Sequence, residues 1–426
     1  MAALWAPAGS FALQVSVWVA QCEARMEREG SPSADELDQI RAAVVLSADD
    51  VAALTDAHGH ETNRLLRLVQ SRLPAEVGNH LHRGNTSSDI LDTALSLQML
   101  RSIELLHDDF AVVEWVLAAL ALRHRRVLQV ARTHGQHALP QTFGRAALGW
   151  LSEVRRCRER LDRAHGVISV GKLSGEVGTH VFITPEFEYA ALERLGLRPD
   201  EAPTQVIGRD RHAEVLGLLA VNATALDRIA TNVSLLAMTD VGEVREPFDP
   251  AAQQGSSAMP HKRNTELSER VRGLARRVRG AAAEELEAVV LWLERDISHS
   301  STERFSLPDA FGALSYMARL TLRVLEGLVV DRDMMAANLA ITRGAIYGSR
   351  LLNALLDEGT LSRTEAYESV KTLAQRAADE GVDLIDLVRA DPVISGHLSA
   401  VAIDDAFDPA FYLRRVDEAF RRLGLD

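Results

Sequence analysis

The sequence has few of the residues that interrupt helices. Its 426 residues include only 27 glycines and 13 prolines, about one residue in eleven, which is below average usage. This shortage disfavours collagen-like and all-β classes and favours helix. Neither residue occurs over the fifty positions between Gly84 and Gly135. That stretch is the strongest indication of a long helix in the chain.

Other absences exclude whole classes of protein. No apolar run approaches the ~18 residues that a membrane-spanning helix needs, and the run over 111–122 is interrupted by Glu114. Cys22 and Cys157 are too few for a disulfide framework and have no metal-ligand spacing. The first twenty residues lack the basic region and cleavage site of a secretory signal. We therefore expect a soluble cytoplasmic protein without a metal or another cofactor.

Lysine is the rare basic residue. Only Lys172, Lys262 and Lys371 occur among 47 basic side chains, and 60 acidic ones bring the net charge to −13. Long-range electrostatics of this sign repel nucleic acids and anionic membranes, so neither is an expected partner. An anionic ligand needs a local basic site, and residues 260–280 offer seven basic against two acidic side chains. From charge alone, a solvated basic helix face is an equally good interpretation.

The stretch without glycine or proline also has the apolar period of a helix. Its apolar residues recur at spacings near three and four, and Thr86, Ser87 and Asp89 are candidates to cap its start. A helix of most of that length runs roughly 60–70 Å at 1.5 Å per residue, so we expect it in an elongated bundle. The apolar positions are Leu95, Met99, Ile103, Leu106, Phe110, Val113, Val116, Leu120, Val127 and Val130.

Two further stretches predict long helices: 209–241, and 281–307 between Gly280 and Pro308. Apolar residues occur on several of their sides, which predicts packing against partner helices in a homo-oligomer. Residues 169–185 predict a loop or minor hairpin, and 243–264 predict a long loop of a kind that is usually functional. Shorter amphipathic helices from residue 360 onward predict a small C-terminal domain.

Three separated segments concentrate small polar and ionisable side chains. They are HRGNTSSD at 82–89, RTHGQH at 132–137 and GSSAMPHKRN at 255–264. The third combines two hydroxyl groups, small residues, Lys262 and an amide, and it leads into the basic segment. A helix N-terminus there adds partial positive charge that favours an anion.

These segments carry a resemblance to a known family. GSSAMPHKRN resembles the signature loop of the fumarase/aspartase superfamily, with the pattern GSSxMPxKxN. The sequence resembles the adenylosuccinate lyase family more closely, because four further segments match family motifs in the same order across nearly the whole chain. The matching segments are HRGNTSSDILDTAL, RTHGQHALPQTFG, TQVIGRDRHAEVLGLLA and LWLERDISHSSTERFSLPDA.

The resemblance implies an all-α fold of three helical domains with a central bundle of long helices. We expect an N-terminal domain over 1–92, the long-helix bundle over 93–345 and a small C-terminal domain over 346–426. Family members are typically homotetramers whose active sites are shared between subunits. We therefore expect this chain to form a homotetramer with shared active sites.

The resemblance also implies a β-elimination that releases fumarate from a small-molecule succinyl-amine substrate. Ser257 matches the general base that removes a proton from the carbon beside a carboxylate. His134 matches the general acid that protonates the leaving nitrogen, which a histidine can do near neutral pH. A serine hydroxyl is a weak base, so it needs the charge of Lys262 and exclusion of water. His82 matches a second active-site histidine.

Further positions match the family's substrate-binding groups. Lys262 and Asn264 match those that hold the substrate carboxylate and stabilise its enolate-like form, a help of the oxyanion-hole type. Thr86 and Ser87 match further carboxylate donors. The remaining predicted substrate-binding residues are Gln205, Arg295, Ser300 and Arg304, of which the last three lie near a nucleotide phosphate, together with Thr133, Ser256, Met259 and His60.

The sequence departs from the family pattern mainly at nucleotide recognition. Members of the family usually begin with a segment that carries Arg-Tyr and contacts the nucleotide phosphate, and Met1 falls where that segment would end. We therefore expect either that translation starts further upstream or that these phosphate contacts are lacking. The family's Arg-His-Asp segment reads Gly59-His60-Glu61, and its Asn-Pro reads Asn264-Thr265.

Three interpretations therefore stay open. The first is cleavage of adenylosuccinate to AMP and fumarate, and of SAICAR to AICAR and fumarate, in purine biosynthesis. The second is release of fumarate from a smaller succinyl, aspartyl or nitrosuccinate-like substrate in specialised metabolism. The third is a non-catalytic structural bundle, which the intact catalytic positions disfavour.

Overall fold

The computed structural model describes residues 1–56, 58–248 and 258–426. These residues form two compact units. Unit 1 comprises Met1–Ala111, Arg156–Asp227 and Arg270–Arg319, and unit 2 comprises Val112–Arg155, Arg228–Glu269 and Leu320–Asp426. The three-domain division expected from the resemblance stays a prediction.

Helices make up most of both units, which confirms the predicted predominantly helical fold. A 3-10 turn occupies Ala345–Tyr347. The helices are α1 (Ala2–Trp5), α2 (Pro7–Glu29), α3 (Ala34–Ala43), α4 (Ala48–Asp56), α5 (Glu61–Gln70), α6 (Ala75–Gly78), α7 (Ser87–Arg123), α8 (Phe143–Ile168), α9 (Pro185–Glu193), α10 (Asp210–Leu236), α11 (Glu266–Ala288), α12 (Ser298–Glu326), α13 (Arg332–Ala340), α14 (Gly348–Asp357), α15 (Arg363–Glu380), α16 (Leu384–Ala390), α17 (Pro392–His397), α18 (Ala400–Ala406), α19 (Ala410–Leu413) and α20 (Val416–Arg421).

The described residues also include three small two-stranded sheets. Strands β1 (Leu128–Thr133) and β2 (Gln136–Thr142) form an antiparallel hairpin in unit 2. In unit 1, strands β3 (Val170–Gly171) and β4 (Arg198–Pro199) form a parallel pair. In unit 2, strands β5 (Val244–Arg245) and β6 (Val329–Val330) form an antiparallel pair.

The predicted long helix is α7, which has 37 residues and is about 55 Å long at 1.5 Å per residue. It begins where the Thr86 backbone N–H donates to Asp89 Oδ2 at 2.8 Å, an N-terminal capping contact. Met99, Leu106 and Phe110 are fully buried, as the periodicity predicts.

The predicted helix is too long at its C-terminal end. Val127 follows the helix, and Val130 lies in strand β1, where it is 1% exposed. The chain instead reverses direction in a hairpin at His134 and Gly135, which both adopt positive φ, 54° and 77°. A two-residue hairpin turn of type I′ has positive φ at both central positions.

The other helix predictions have mixed outcomes. The stretch 209–241 forms α10, but the single helix predicted over 281–307 is wrong. Helix α11 runs through Gly280 and ends at Ala288, whereas α12 contains Pro308. The real break precedes Ser298, where the Asp296 carboxylate accepts the backbone N–H groups of Trp292 and Ser298 at 2.8 and 2.7 Å.

The C-terminal part of unit 2 has its own apolar core. Its amphipathic helices were predicted from the sequence, and α15 begins with a capping box between Ser362 and Glu365. No helix in the described ranges is long and apolar enough to cross a membrane. The buried core side chains include Leu351, Leu355, Val370, Leu384, Val388 and Ile394.

Candidate active site

His82 lies on a strained turn that precedes α7 in unit 1. Its φ is 59°, a conformation that non-glycine residues rarely adopt and that clusters at functional sites. The Trp18 indole N–H donates to His82 Nδ1 at 3.2 Å, so in the neutral ring Nε2 carries the proton. Burial, and to a lesser degree the charge of His60, lower the pKa of His82. This imidazole is therefore a neutral hydrogen-bond donor at Nε2.

The start of α7 presents Thr86 and Ser87, the two predicted carboxylate donors, side by side. A buried ion pair fixes the start of α7. Lys172 Nζ donates to Asp89 Oδ1 at 2.5 Å, and both side chains are fully buried. The same ammonium donates to the Gly175 carbonyl at 2.7 Å. Burial raises the pKa of Asp89 to about 6 even beside this cation. Lys172 thus fixes the backbone of a predicted binding segment.

Two predicted substrate-binding residues that are ninety positions apart are in direct contact. Arg295 Nη1 donates to Gln205 Oε1 at 3.0 Å, and the Gln205 backbone N–H donates to the Glu294 carbonyl at 3.3 Å. Ser300 and Arg304 follow on the first two turns of α12, where Ser300 is half-buried and Arg304 is exposed. The structure therefore brings Gln205 and Arg295 together beside the helix that carries Ser300 and Arg304.

A buried ionic cluster near these residues was not predicted. The Arg209 guanidinium pairs with Asp92 and with Glu303, at 2.7 Å each, and all three side chains are almost fully buried. Burial of the neighbouring Glu285 raises its pKa to about 7, and burial lowers the pKa of His212 to about 3. Sequence patterns did not identify the cluster because its members are far apart along the chain.

In unit 2, Thr133 and His134 lie at the exposed tip of the β1–β2 hairpin, with His134 in the turn. Strand β1 of this hairpin is fastened by Glu243, which is fully buried. Its carboxylate accepts hydrogen bonds from Arg132 Nη2 at 2.6 Å and from Gln129 Nε2 at 2.7 Å. Glu243 also accepts one from Asn338 Nδ2 at 2.9 Å. This carboxylate holds the strand that directly precedes the predicted general acid, His134.

The predicted signature loop is described only in part. Ser256 and Ser257 lie outside the described residues. Met259, Lys262 and Asn264 are exposed in unit 2, and the Lys262 backbone N–H donates to the Met259 carbonyl at 3.0 Å.

Glu246 caps the helix that follows this loop. Its carboxylate accepts the backbone N–H groups of Leu267 and Ser268 in the first turn of α11, at 3.1 and 2.8 Å. An acidic cap satisfies donors that the helix itself leaves unpaired.

The basic segment around α11 is partly neutralised. Arg277 pairs with Asp309, and Arg279 pairs with Asp227 at 3.1 Å. The charges of these two arginines are balanced by carboxylates within unit 1. The anion-facing patch predicted from the composition of residues 260–280 therefore has fewer available positive charges than that composition indicated.

The predicted site residues divide between the two compact units. Unit 1 carries the second histidine and the groups predicted for the rest of the substrate, whereas unit 2 carries the predicted acid and the described part of the signature loop. In the described ranges, no three His, Cys, Asp or Glu side chains are grouped as metal ligands would be. The unit 1 set is His60, His82, Thr86, Ser87, Gln205, Arg295, Ser300 and Arg304, and the unit 2 set is Thr133, His134, Met259, Lys262 and Asn264.

Comparison with known proteins agrees with the motifs. A family model described as "Lyase" matches residues 10–280, and one described as "Adenylosuccinate lyase C-terminus" matches residues 344–423. Adenylosuccinate lyase from Synechocystis sp. is 41% identical over 426 residues, covering 100% of this chain and 98% of the relative. Adenylosuccinate lyase from Aquifex aeolicus is 38% identical, with coverages of 99% and 97%.

Solved structures agree on the fold. The crystal structure of a fumarate lyase from Mesorhizobium sp. superposes with a TM-score of 0.89 at 29% identity, covering 100% of this chain and 97% of that one. A 3-carboxy-cis,cis-muconate lactonizing enzyme from Pseudomonas putida gives a TM-score of 0.87 at 28% identity, with coverages of 99% and 95%. Fold and motifs together define a lyase of the fumarase/aspartase superfamily. Within it, the chain belongs to the adenylosuccinate lyase family.

Proposed function

We propose that the protein cleaves adenylosuccinate to AMP and fumarate, and SAICAR to AICAR and fumarate, in purine biosynthesis. The observation that carries the proposal is the 41% identity to an adenylosuccinate lyase over the full chain. The intact Ser257, Lys262, Asn264 and His134 support it, because they match every step of the elimination. The change at Gly59-His60-Glu61 keeps a smaller succinyl substrate as the competing outcome.

The reaction divides between a base and an acid. Ser257, as alkoxide, takes a proton from the carbon beside a substrate carboxylate, and Lys262 and Asn264 stabilise the extra charge on that carboxylate. The electron pair forms the carbon–carbon double bond of fumarate as the carbon–nitrogen bond breaks. His134 gives its proton to the leaving nitrogen. His82 donates a hydrogen bond to the substrate from Nε2.

The remaining groups bind the rest of the substrate. Thr86 and Ser87 donate to a carboxylate at the start of α7, where the helix dipole favours negative charge. Arg295, oriented by its hydrogen bond to Gln205, and Arg304 bind the nucleotide phosphate together with Ser300. Arginine suits this task because its planar donors match phosphate oxygens.

The proposal includes a cytoplasmic homotetramer whose active sites take residues from different subunits. It is supported by large exposed apolar side chains on α7, where Trp115 is 71% exposed and Val112 45%. Exposed apolar surface of this kind is typical of subunit interfaces. Light scattering of the purified protein tests the assembly.

The activity test measures fumarate release and the purine absorbance change after adding adenylosuccinate to the purified protein. Turnover of a smaller succinyl adduct without turnover of adenylosuccinate would overturn the proposed substrate. Inertness with every succinyl substrate would favour a structural bundle.

The base assignment has its own test. Ser257→Ala is expected to abolish turnover while adenylosuccinate still binds, as measured by calorimetry. Ser71→Ala is the control and should keep the wild-type rate, because Ser71 is exposed in unit 1 and its hydroxyl donates to the Leu68 carbonyl at 2.7 Å. A Ser257→Ala enzyme with a near-normal rate would refute the base assignment.

A further inference from the structure

The Arg209 guanidinium has every donor occupied. Nε and Nη2 donate to the two Glu303 carboxylate oxygens at 2.7 and 3.4 Å. Nη1 and Nη2 donate to the two Asp92 oxygens at 2.7 and 3.0 Å. The second Nη1 donor reaches the Ile207 carbonyl at 2.9 Å. One planar guanidinium thus binds two carboxylates, each through two parallel hydrogen bonds, an arrangement that adds geometric specificity as well as energy.

These contacts join three segments that are distant in sequence. Asp92 is on α7, five residues after Ser87, and Glu303 is on α12 between Ser300 and Arg304. Arg209 itself ends the loop that contains Gln205. Asp92 Oδ2 also accepts the Ile207 backbone N–H at 2.8 Å, which fixes that loop a second time. Each segment therefore carries both a member of the cluster and a proposed substrate-binding residue.

The cluster is rigid for an electrostatic reason. Arg209, Asp92 and Glu303 are 3%, 4% and 8% exposed, so their attraction is little screened by water or salt. Removing one member leaves an uncompensated buried charge, which is strongly unfavourable. The three segments can move relative to one another only by breaking these contacts.

We propose that Arg209 is a positioning residue for substrate binding: it sets the spacing between Thr86/Ser87, Gln205 and Ser300/Arg304. This inference rests on the proposed function of those residues. The partners of Arg209 are Asp92, Glu303 and the Ile207 carbonyl, and none of them is a proposed acid, base or carboxylate-stabilising group. Loss of its geometry should therefore weaken binding more than it slows the chemical step.

The test is Arg209→Lys, because lysine keeps the positive charge but cannot form bidentate hydrogen bonds to two carboxylates. We expect KM for adenylosuccinate to rise about tenfold or more, because weakening one hydrogen bond to a charged substrate group is enough for a change of that size, with kcat within about threefold of wild type. Glu303→Gln retains a side-chain oxygen to accept from Arg209 and should stay nearer to wild-type KM than Glu303→Ala.

The matched control is Arg211→Lys. Arg211 is two residues further on and pairs with Asp200 at 2.9 Å and with the Val167 carbonyl at 3.3 Å, so it joins none of the three segments. Urea midpoints of both variants measure the loss of stability. Hydrogen exchange over 86–92, 204–209 and 298–304 should rise in Arg209→Lys alone.

The outcomes separate the inference from the proposed function. Wild-type turnover of adenylosuccinate tests the proposed function, and the ratios of variant to wild-type KM test the role of Arg209. If only a smaller succinyl adduct is turned over, the same KM ratio is measured with that adduct. An unchanged KM in Arg209→Lys, or an equal rise in Arg211→Lys, would overturn the positioning role. Inertness with all succinyl substrates would overturn both proposals.

Discussion

Replacing Lys172 by methionine tests how the start of α7 is held. Both Lys172 and Asp89 are 0% exposed, and Nζ lies 2.5 Å from Asp89 Oδ1. Methionine fills similar volume without the charge, so the variant leaves a carboxylate buried without its cation. Breaking a buried pair in this way costs about 3–5 kcal/mol. We expect the free energy of unfolding to fall by that amount at pH 8.

The loss should depend on pH with a definite sign. Burial raises the folded-state pKa of Asp89 to about 6, above an unfolded value of about 4. The contribution of this group to stability is therefore greatest below pH 4 and falls as the pH rises through 6. Without Lys172 the carboxyl takes up a proton more readily. We expect the loss in Lys172→Met to be about 1–3 kcal/mol smaller at pH 5 than at pH 8.

Urea denaturation followed by circular dichroism at fixed protein concentration measures both effects. Lys371→Met is the matched control, because Lys371 pairs with Glu368 at the surface, at 3.2 Å with 59% and 56% exposure, and should change stability by less than about 1 kcal/mol. Asp89→Asn combined with Lys172→Met should regain much of the loss. A Lys172→Met protein as stable as wild type at pH 8, or equally destabilised at both pH values, would refute the reasoning.

Three further predictions concern Glu285, Gly178 and Glu243. Burial raises the folded-state pKa of Glu285 to about 7, so the contribution of this group to stability falls as the pH rises from about 4.5 through 7. In urea unfolding at pH 8, Glu285→Gln should therefore be more stable than wild type by up to about 3 kcal/mol. At pH 4.5 it should have no such advantage. Gly178→Ala should lower the free energy of unfolding by about 3 kcal/mol or more, because φ is 78° there and the added Cβ would lie 2.1 Å from the Pro203 carbonyl oxygen. Gly166→Ala is the control: its added Cβ meets nothing within 4 Å, so it should be neutral or slightly stabilising in the same assay. Glu243→Ala should lower kcat about tenfold or more in steady-state assays, with a smaller change in KM, because the strand before His134 loses its anchor; an unchanged kcat would contradict that role.

Much of the helical framework could be predicted because the information is local. The apolar period of α7 and α10 and the capping box of α15 lie within single segments, so burial and local hydrogen bonds agree with the pattern. The break between α11 and α12 could not be predicted in this way. Gly280 and Pro308 lie inside helices, and the cap at Asp296 has no comparable signature.

For the site, the sequence by itself determined which residues are candidates and the family to which they belong, because motifs are contiguous strings of side chains with defined chemistry. Tertiary structure decided how those residues are held. Lys172 meets Asp89 across 83 positions, and Arg209 meets Asp92 across 117. Such pairs leave no periodic trace in sequence, since they join segments that meet only in the folded chain. The low-dielectric interior that strengthens their attraction, and offsets the cost of removing both charges from water, also exists only there.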